Sequence, residues 1–188
     1  NGYAFISQAV EDKYAATYNQ PAGMIHFASA GNTGTAAVEY PASIAVVNAV
    51  SSVGPDGSLF PSSTFGPEIS VAAPGRLIYT TDRTGADGDP GDYTWVTGTS
   101  YSAPQAAGVA ALILSANPSL SPQEVEATLQ CSARDLGDPG RDDLFGYGLV
   151  DAGKALSAAS GVDSDTDGVE DVCDNCPATP NLDQADAD

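Results

Sequence analysis

Gly98-Thr99-Ser100-Tyr101-Ser102-Ala103-Pro104, with the apolar run behind it, decides how this chain folds. Ala106, Ala107, Gly108, Val109, Ala110, Ala111, Leu112, Ile113 and Leu114 follow with no polar residue among them. A helix over residues 101–116 with so little polar face is predicted to be buried on all sides. Ser100 then stands at its N-terminus, where unpaired N–H groups and partial positive charge favour a developing anion. Gly98 carries no side chain, so a substrate backbone can approach closely. A serine in this position can also be a plain helix cap. The choice between nucleophile and cap rests on the rest of the chain.

Upstream, a helix is predicted over residues 3–18, with Tyr3, Ile6, Val10 and Tyr14 at helical spacing. Residues 24–30 form an apolar run of strand length that ends in the sharp turn Gly31-Asn32-Thr33-Gly34. An apolar strand closed by such a turn fits a buried parallel sheet, whose carboxyl-end loops are the usual ligand sites. Further strands are predicted over 43–51 and 69–73, an extended segment over 77–81, a surface loop over 82–92 and a strand over 93–97. Downstream, Ser121 caps a helix reaching about residue 133, with Pro122 at its first position and Glu124 three residues after the cap. Phe145-Gly146-Tyr147-Gly148-Leu149-Val150-Asp151 turns into a last helix ending near residue 159.

Composition narrows the function classes. The net charge of −19 on 188 residues argues against nucleic acid as a partner. The charge is uneven: residues 160–188 hold nine acids and no base, while the first 159 hold 16 acids and all six bases. Such a tail either stays unfolded or binds cations. No apolar run is long enough to span a membrane, and no signal peptide is evident. Both ends read as cuts, so the chain is expected to be a fragment of something longer.

Several motifs together resemble the carboxyl-terminal half of the catalytic domain of subtilisin-like serine proteases. Gly98-Thr99-Ser100-Tyr101-Ser102-Ala103-Pro104 resembles the family's nucleophile motif and Ala30-Gly31-Asn32 its oxyanion motif. Ser63-Thr64-Phe65-Gly66-Pro67-Glu68, Val71-Ala72-Ala73-Pro74-Gly75 and Phe145 to Asp151 are similar to its intervening and closing segments. The resemblance spans about residues 24–159. It implies an α/β fold, a subtilisin-like parallel-sheet sandwich lacking its N-terminal part. It implies Ser100 as nucleophile and Asn32 as oxyanion donor, with Ala28, Ser29, Ala30, Gly31 and Gly98 lining the substrate pocket. A protein or peptide is then the substrate. A serine nucleophile also needs a base and a group orienting that base. The family draws its Asp and His from upstream motifs, so this chain alone is expected to be inactive. His26, the only histidine, lies within a predicted strand and is expected to be a packing residue. Gln105 stands where many members carry a non-catalytic His. The spacing Gly98-x-Ser100-x-Ser102 is not the elbow of lipases and esterases.

The tail, residues 160–188, reads as a second, irregular calcium-binding module. Asp163, Asp165, Asp167, the Val169 carbonyl, Asp171 and Asp174 fall at positions 1, 3, 5, 7, 9 and 12 of a calcium loop, with Gly168 at the turn. Asn175-Cys176-Pro177 cannot begin the helix that an EF-hand requires. The stretch resembles a truncated thrombospondin type 3 repeat, which implies Ca2+ held by aspartates and cysteines paired between half-repeats. Partners of Cys173 and Cys176 are then expected beyond Asp188, and Cys131 is expected to be a buried free thiol. Three cysteines and one distant histidine do not make a zinc site. Calcium and oxidised cysteines both point to a secreted or cell-surface protein. The sequence therefore predicts part of a secreted serine endopeptidase. The alternative is an inert protease-like domain in a calcium-binding adhesion protein.

Overall fold

In the computed structural model, residues 6–20, 23–83, 91–166, 169–171, 173, 174, 176 and 178–180 are described. Three short apolar runs, β1 (His26–Ser29), β2 (Val47–Val53) and β3 (Ile69–Pro74), pair as a parallel sheet in the order β1-β2-β3. His26 is opposite Val47 and Ser29 opposite Val50, while Val50 is opposite Val71. All seven residues of β2 are buried, as expected of a strand with a partner on each edge. The register of β2 and β3 shifts between Ala49 and Val50, which leaves Ser70 as the extra residue of a bulge. The bulge turns Ile69 toward Ala49 on one face and Val71 toward Val50 on the other.

One face of this sheet is covered by helices. α2 (Thr99–Ala116) lies across all three strands, and α3 (Pro122–Cys131) and α4 (Ala152–Ala159) pack behind it. Val50, Val71 and Ala73 meet Ala106, Ala110, Ile113, Val125, Leu129, Ala155 and Ala159 there. Ile113 and Leu129 are fully buried, each stabilising the fold by about 1.5–3 kcal/mol. On the other face Val53 and Ala72 meet Phe145, and the returning chain joins β3 through Val150 N–H to Ala72 O at 3.0 Å. A separate antiparallel ribbon, β4 (Ile78–Thr81) with β5 (Tyr93–Val96), leads into α2. α1 (Gln8–Tyr18) buries no residue and is tied to α3 by the Tyr18 hydroxyl donating to Glu126 Oε2 at 2.5 Å.

Local sequence signals and elements agree in places. The Ser121–Glu124 capping box forms in full, and the Asp151 carboxylate caps α4 by accepting from Lys154 N–H. The first residues of the predicted 3–18 helix lie outside the described residues.

Three expectations are corrected. The second strand starts at Val47 rather than 43, because Ile44 N–H bonds Pro41 O and Val47 N–H bonds Ile44 O in successive turns. α2 is not buried on all sides. Ala103, Ala106, Val109, Ala110 and Ile113 are buried, whereas Pro104, Gly108, Ala111 and Leu112 are exposed, Leu112 by 43%. The helix period presents only one stripe to a single sheet, and the described residues cover that stripe alone. Cys131 is neither buried nor reduced. It is the exposed last residue of α3 and forms a disulfide with Cys173, Cα to Cα 5.2 Å, within the usual range. Cys176 lies outside this pair. The disulfide clips the acidic tail onto α3, where Leu120, Ala127, Val169 and both cysteines line a cavity.

Non-reducing peptide mapping should recover a Cys131–Cys173 cross-link. With the cysteines 42 positions apart, reduction and alkylation should lower the unfolding free energy by about 4 kcal/mol on the chain-entropy account. A freely titrating Cys131 thiol in the oxidised protein would contradict the pairing.

Candidate active site

Because the strands are parallel, the loops after β1 and β3 emerge at one edge of the sheet, where α2 begins. Gly31-Asn32 follows β1, and Gly75 follows β3 and accepts the Gly98 N–H at 2.7 Å. Asn32 Oδ1 accepts the Thr99 N–H at 2.9 Å and the Thr99 hydroxyl at 3.1 Å. That hydroxyl also lies 3.2 Å from Gly31 O. The oxygen of the Asn32 amide is thus committed to α2, and Nδ2 is left as its remaining donor.

The first turn of α2 has the same logic. Gly98 is its N-cap, and no side chain caps it. Asn32 occupies the Thr99 N–H, and Gly98 O occupies the Tyr101 N–H at 3.0 Å. Between them the N–H of Ser100 bonds no described group. Ser100 itself is exposed, the second residue of the helix. An exposed hydroxyl and an open N–H thus stand one residue beyond the Thr99 that Asn32 holds, an arrangement whose chemistry suits a nucleophile beside hydrogen-bond donors.

The two glycines are required. Gly98 has φ +146°, and a Cβ there would stand 3.3 Å from Asn32 Oδ1. Gly31 has φ +117°, and a Cβ there would stand 2.6–2.7 Å from the Glu39 side chain. Gly31 and Gly98 are both buried. Ala28 and Ser29 are half-buried on β1, while the Ala30 backbone is used inside the protein. Its N–H donates to Val50 O at 3.1 Å, and its C=O accepts from Glu39 N–H at 2.9 Å.

Two site residues escaped the sequence reading. Thr99 lies inside the nucleophile motif, but its anchoring role depends on a partner 67 positions away. Glu39 belongs to no motif, and only the loop after β1 brings it against Gly31. His26 does not belong to the site. It opens β1 at the opposite end from Asn32, six residues or roughly 20 Å away. There it shares a hydrogen bond of 2.9 Å with Thr17 Oγ1 and packs edge-on against Tyr14, centroids 4.8 Å apart. Desolvation by burial pulls its pKa below the ordinary histidine value.

The tail residues are also partly placed. Asp163 accepts the Thr166 N–H at 2.7 Å, and Asp174 accepts the Cys176 N–H at 2.8 Å. Asp171 accepts both the N–H and the hydroxyl of Ser164, each at 2.7 Å. Those two bonds, the hydroxyl's first, hold the Asp171 carboxyl below the usual carboxylate range. Asp165 and Val169 are half-buried, and Asp167 lies outside the described residues. Among the described residues no three His, Cys, Asp or Glu side chains converge as a metal site.

Comparison with known proteins places the chain in a family. Residues 1–148 match the Subtilase family, Peptidase S8. The chain is 40% identical over 137 residues to the thermostable alkaline protease of Halalkalibacterium halodurans, covering 71% of this chain and 35% of that one. It is 42% identical over 135 residues to the halolysin-like extracellular serine protease Nep of Natrialba magadii, covering 72% and 24%. The crystal structure of a lanthipeptide protease superposes with a TM-score of 0.73 at 31% identity, covering 79% and 54%. This chain belongs to the subtilase family of serine proteases, and it spans about a quarter to a third of these two curated relatives. Its fold is the α/β, parallel-sheet fold of subtilisins.

In the full-length protein, Asn32→Ala should lower kcat by about 10²–10³, the size such a donor has in subtilisin, a member of the same family. Thr99→Val, which removes only the hydroxyl anchor, should lower kcat by about fivefold, one ordinary hydrogen bond. KM should change little in both. Steady-state hydrolysis of a peptide anilide reads the two effects.

Proposed function

We propose that this chain is the nucleophile-bearing part of a secreted serine endopeptidase. The single observation behind this reading is the amide of Asn32, whose Oδ1 is held by the N–H and the hydroxyl of Thr99, the residue next to Ser100. Ser100 Oγ attacks the carbonyl carbon of a peptide bond while a general base takes its proton. Asn32 Nδ2 and the Ser100 N–H hold the oxyanion of the tetrahedral intermediate. The base then returns the proton to the leaving amine, and water releases the acyl group by the same route. The base and its orienting acid come from outside this chain, since its one histidine sits at the far end of β1. Ala28, Ser29 and Gly98 border the substrate, while Ala30 and Gly31, buried with their backbone groups bonded inside the protein, back the site. An extracellular setting is supported by the Cys131–Cys173 disulfide, and no helix among the described residues is long and apolar enough to cross a membrane.

The tail extends this reading to calcium. What supports it is the sequence: Asp163, Asp165, Asp167, Asp171 and Asp174, with the Val169 carbonyl, offer oxygen donors at the spacing of a calcium loop. Asp171 favours its charged form. The ion would order a loop that already closes through Asp171 N–H to Val162 O at 2.8 Å.

A fluorophosphonate probe should label the folded full-length protein and fail to label Ser100→Ala. No labelling of the wild type would remove the enzyme reading. Titration calorimetry of the intact protein should show calcium uptake in the millimolar range, weakened at least tenfold in Asp171→Asn. Absence of heat would remove the calcium reading and leave the protease reading standing.

A further inference from the structure

Glu39 brings a carboxylate to the turn after β1, and the chemistry above gives it no task. Its backbone is fixed on both sides. Its N–H donates to Ala30 O at 2.9 Å, and its C=O accepts from Ser43 N–H at 3.3 Å. The loop leading to it is pinned as well, by Gly34 N–H to Ser62 O at 2.9 Å and Phe65 N–H to Thr35 O at 3.1 Å. The side chain lies over Gly31, in the space a Cβ would need. Cδ stands 2.6 Å from that position, and Cγ and Oε1 each stand 2.7 Å from it. The missing side chain of Gly31 thus makes room for this carboxylate.

An unbroken set of contacts joins Glu39 to the nucleophile. Glu39 lies against Gly31, Gly31 O accepts the Thr99 hydroxyl at 3.2 Å, and Thr99 directly precedes Ser100. Followed through these contacts, the carboxylate lies roughly 10–15 Å from Ser100. A carbonyl held about 3 Å from Oγ, an arginine side chain of roughly 7 Å and a charge-assisted hydrogen bond of about 2.8 Å span the same gap. The side chain that starts nearest to Oγ belongs to the residue supplying the attacked carbonyl. The local charge is negative, because the bases of the chain lie on other elements. Lys13 is on α1 and Lys154 on α4, Arg76 lies by Gly54 and Asp56, and Arg83 follows the far end of the β4–β5 ribbon. Arg134 pairs with Leu149 through its backbone, and Arg141 is engaged by Asp143 and the Pro67 carbonyl. Glu39 is already half-buried, and a substrate laid over it removes more of its water. That loss is costly for a carboxylate unless a cation arrives with the substrate.

We propose that Glu39 selects arginine or lysine as the residue supplying the attacked carbonyl, its carboxylate pairing with the cationic head group of that side chain. This rests on the protease reading of Ser100. Arginine offers the carboxylate two parallel N–H···O bonds and lysine a point charge. A neutral side chain of the same length reaches Glu39 but leaves its charge unpaired, and an acidic one is repelled.

The test is selectivity rather than rate. Full-length protein is assayed on two peptide anilides that differ only in arginine against citrulline before the cleaved bond, and their kcat/KM values are compared. Arginine should be favoured by about tenfold or more. Glu39→Gln, which keeps the shape and removes the charge, should cut that ratio by about fivefold or more. A ratio taken within one variant cancels any general loss of activity, so a merely structural Glu39 leaves it unmoved. Equal cleavage of the two anilides by the wild type overturns the proposal, and so does a preference that survives Glu39→Gln. The wild-type comparison decides by itself if the variant does not fold. Fluorophosphonate labelling of Ser100 reports separately. Labelling without selectivity removes the role of Glu39 and leaves the protease reading standing, whereas no labelling removes both.

Discussion

The hydrogen bonds from Thr99 to Asn32 Oδ1 are the point on which the rest of the structure converges. They join two segments 67 residues apart, and they do two tasks at once. They close the sheet edge against the helix, and they occupy the Asn32 amide oxygen, which leaves its N–H2 as the remaining donor. An asparagine at a loop tip has two equivalent-looking ends, and only a fixed partner on the oxygen makes the nitrogen a dependable donor. Such preorganisation is what gives an oxyanion donor its effect, because nothing has to reorient as charge develops.

That anchor depends in turn on the parallel register of β1, β2 and β3. In a parallel sheet the carboxyl ends of all strands face the same way, so the turns after β1 and β3 arrive together. α2 crosses all three strands, and its apolar stripe keeps its first turn at that edge. The bulge at Ser70 lets both Ile69 and Val71 find apolar surroundings on opposite faces. Asn48 is buried near the start of β2, yet it is satisfied by Ser70 Oγ at 2.6 Å and by the His26 carbonyl at 3.3 Å. A buried polar side chain with both ends bonded fixes register without the penalty of an unpaired group.

The surface has a division of labour of its own. The acids are concentrated in the tail, and that tail is fastened to α3 by Cys131–Cys173. Aromatic side chains gather on the opposite kind of surface, a small ribbon beside the nucleophile turn. The molecule thus presents its densest negative charge at the tail and ring faces on the ribbon.

What the sequence determined by itself is what depends on neighbours along the chain. The Gly-Thr-Ser turn, the Gly-Asn turn after an apolar strand and the capping box at Ser121 are all local, and all are found where the residues indicated. The family was legible for the same reason, since its motifs are short and occur in order. What only the tertiary structure decided involves partners far apart. Apolar periodicity shows that α2 is hydrophobic, but not that the described residues cover one stripe of it. Three cysteines admit several pairings, and the surface position of the α3 end selects Cys131 with Cys173. Glu39 belongs to the site only because the loop after β1 folds back on Gly31. His26 is excluded only by its place at the wrong end of a strand. In each case the deciding quantity is a distance through space, which short-range patterns along the chain do not encode.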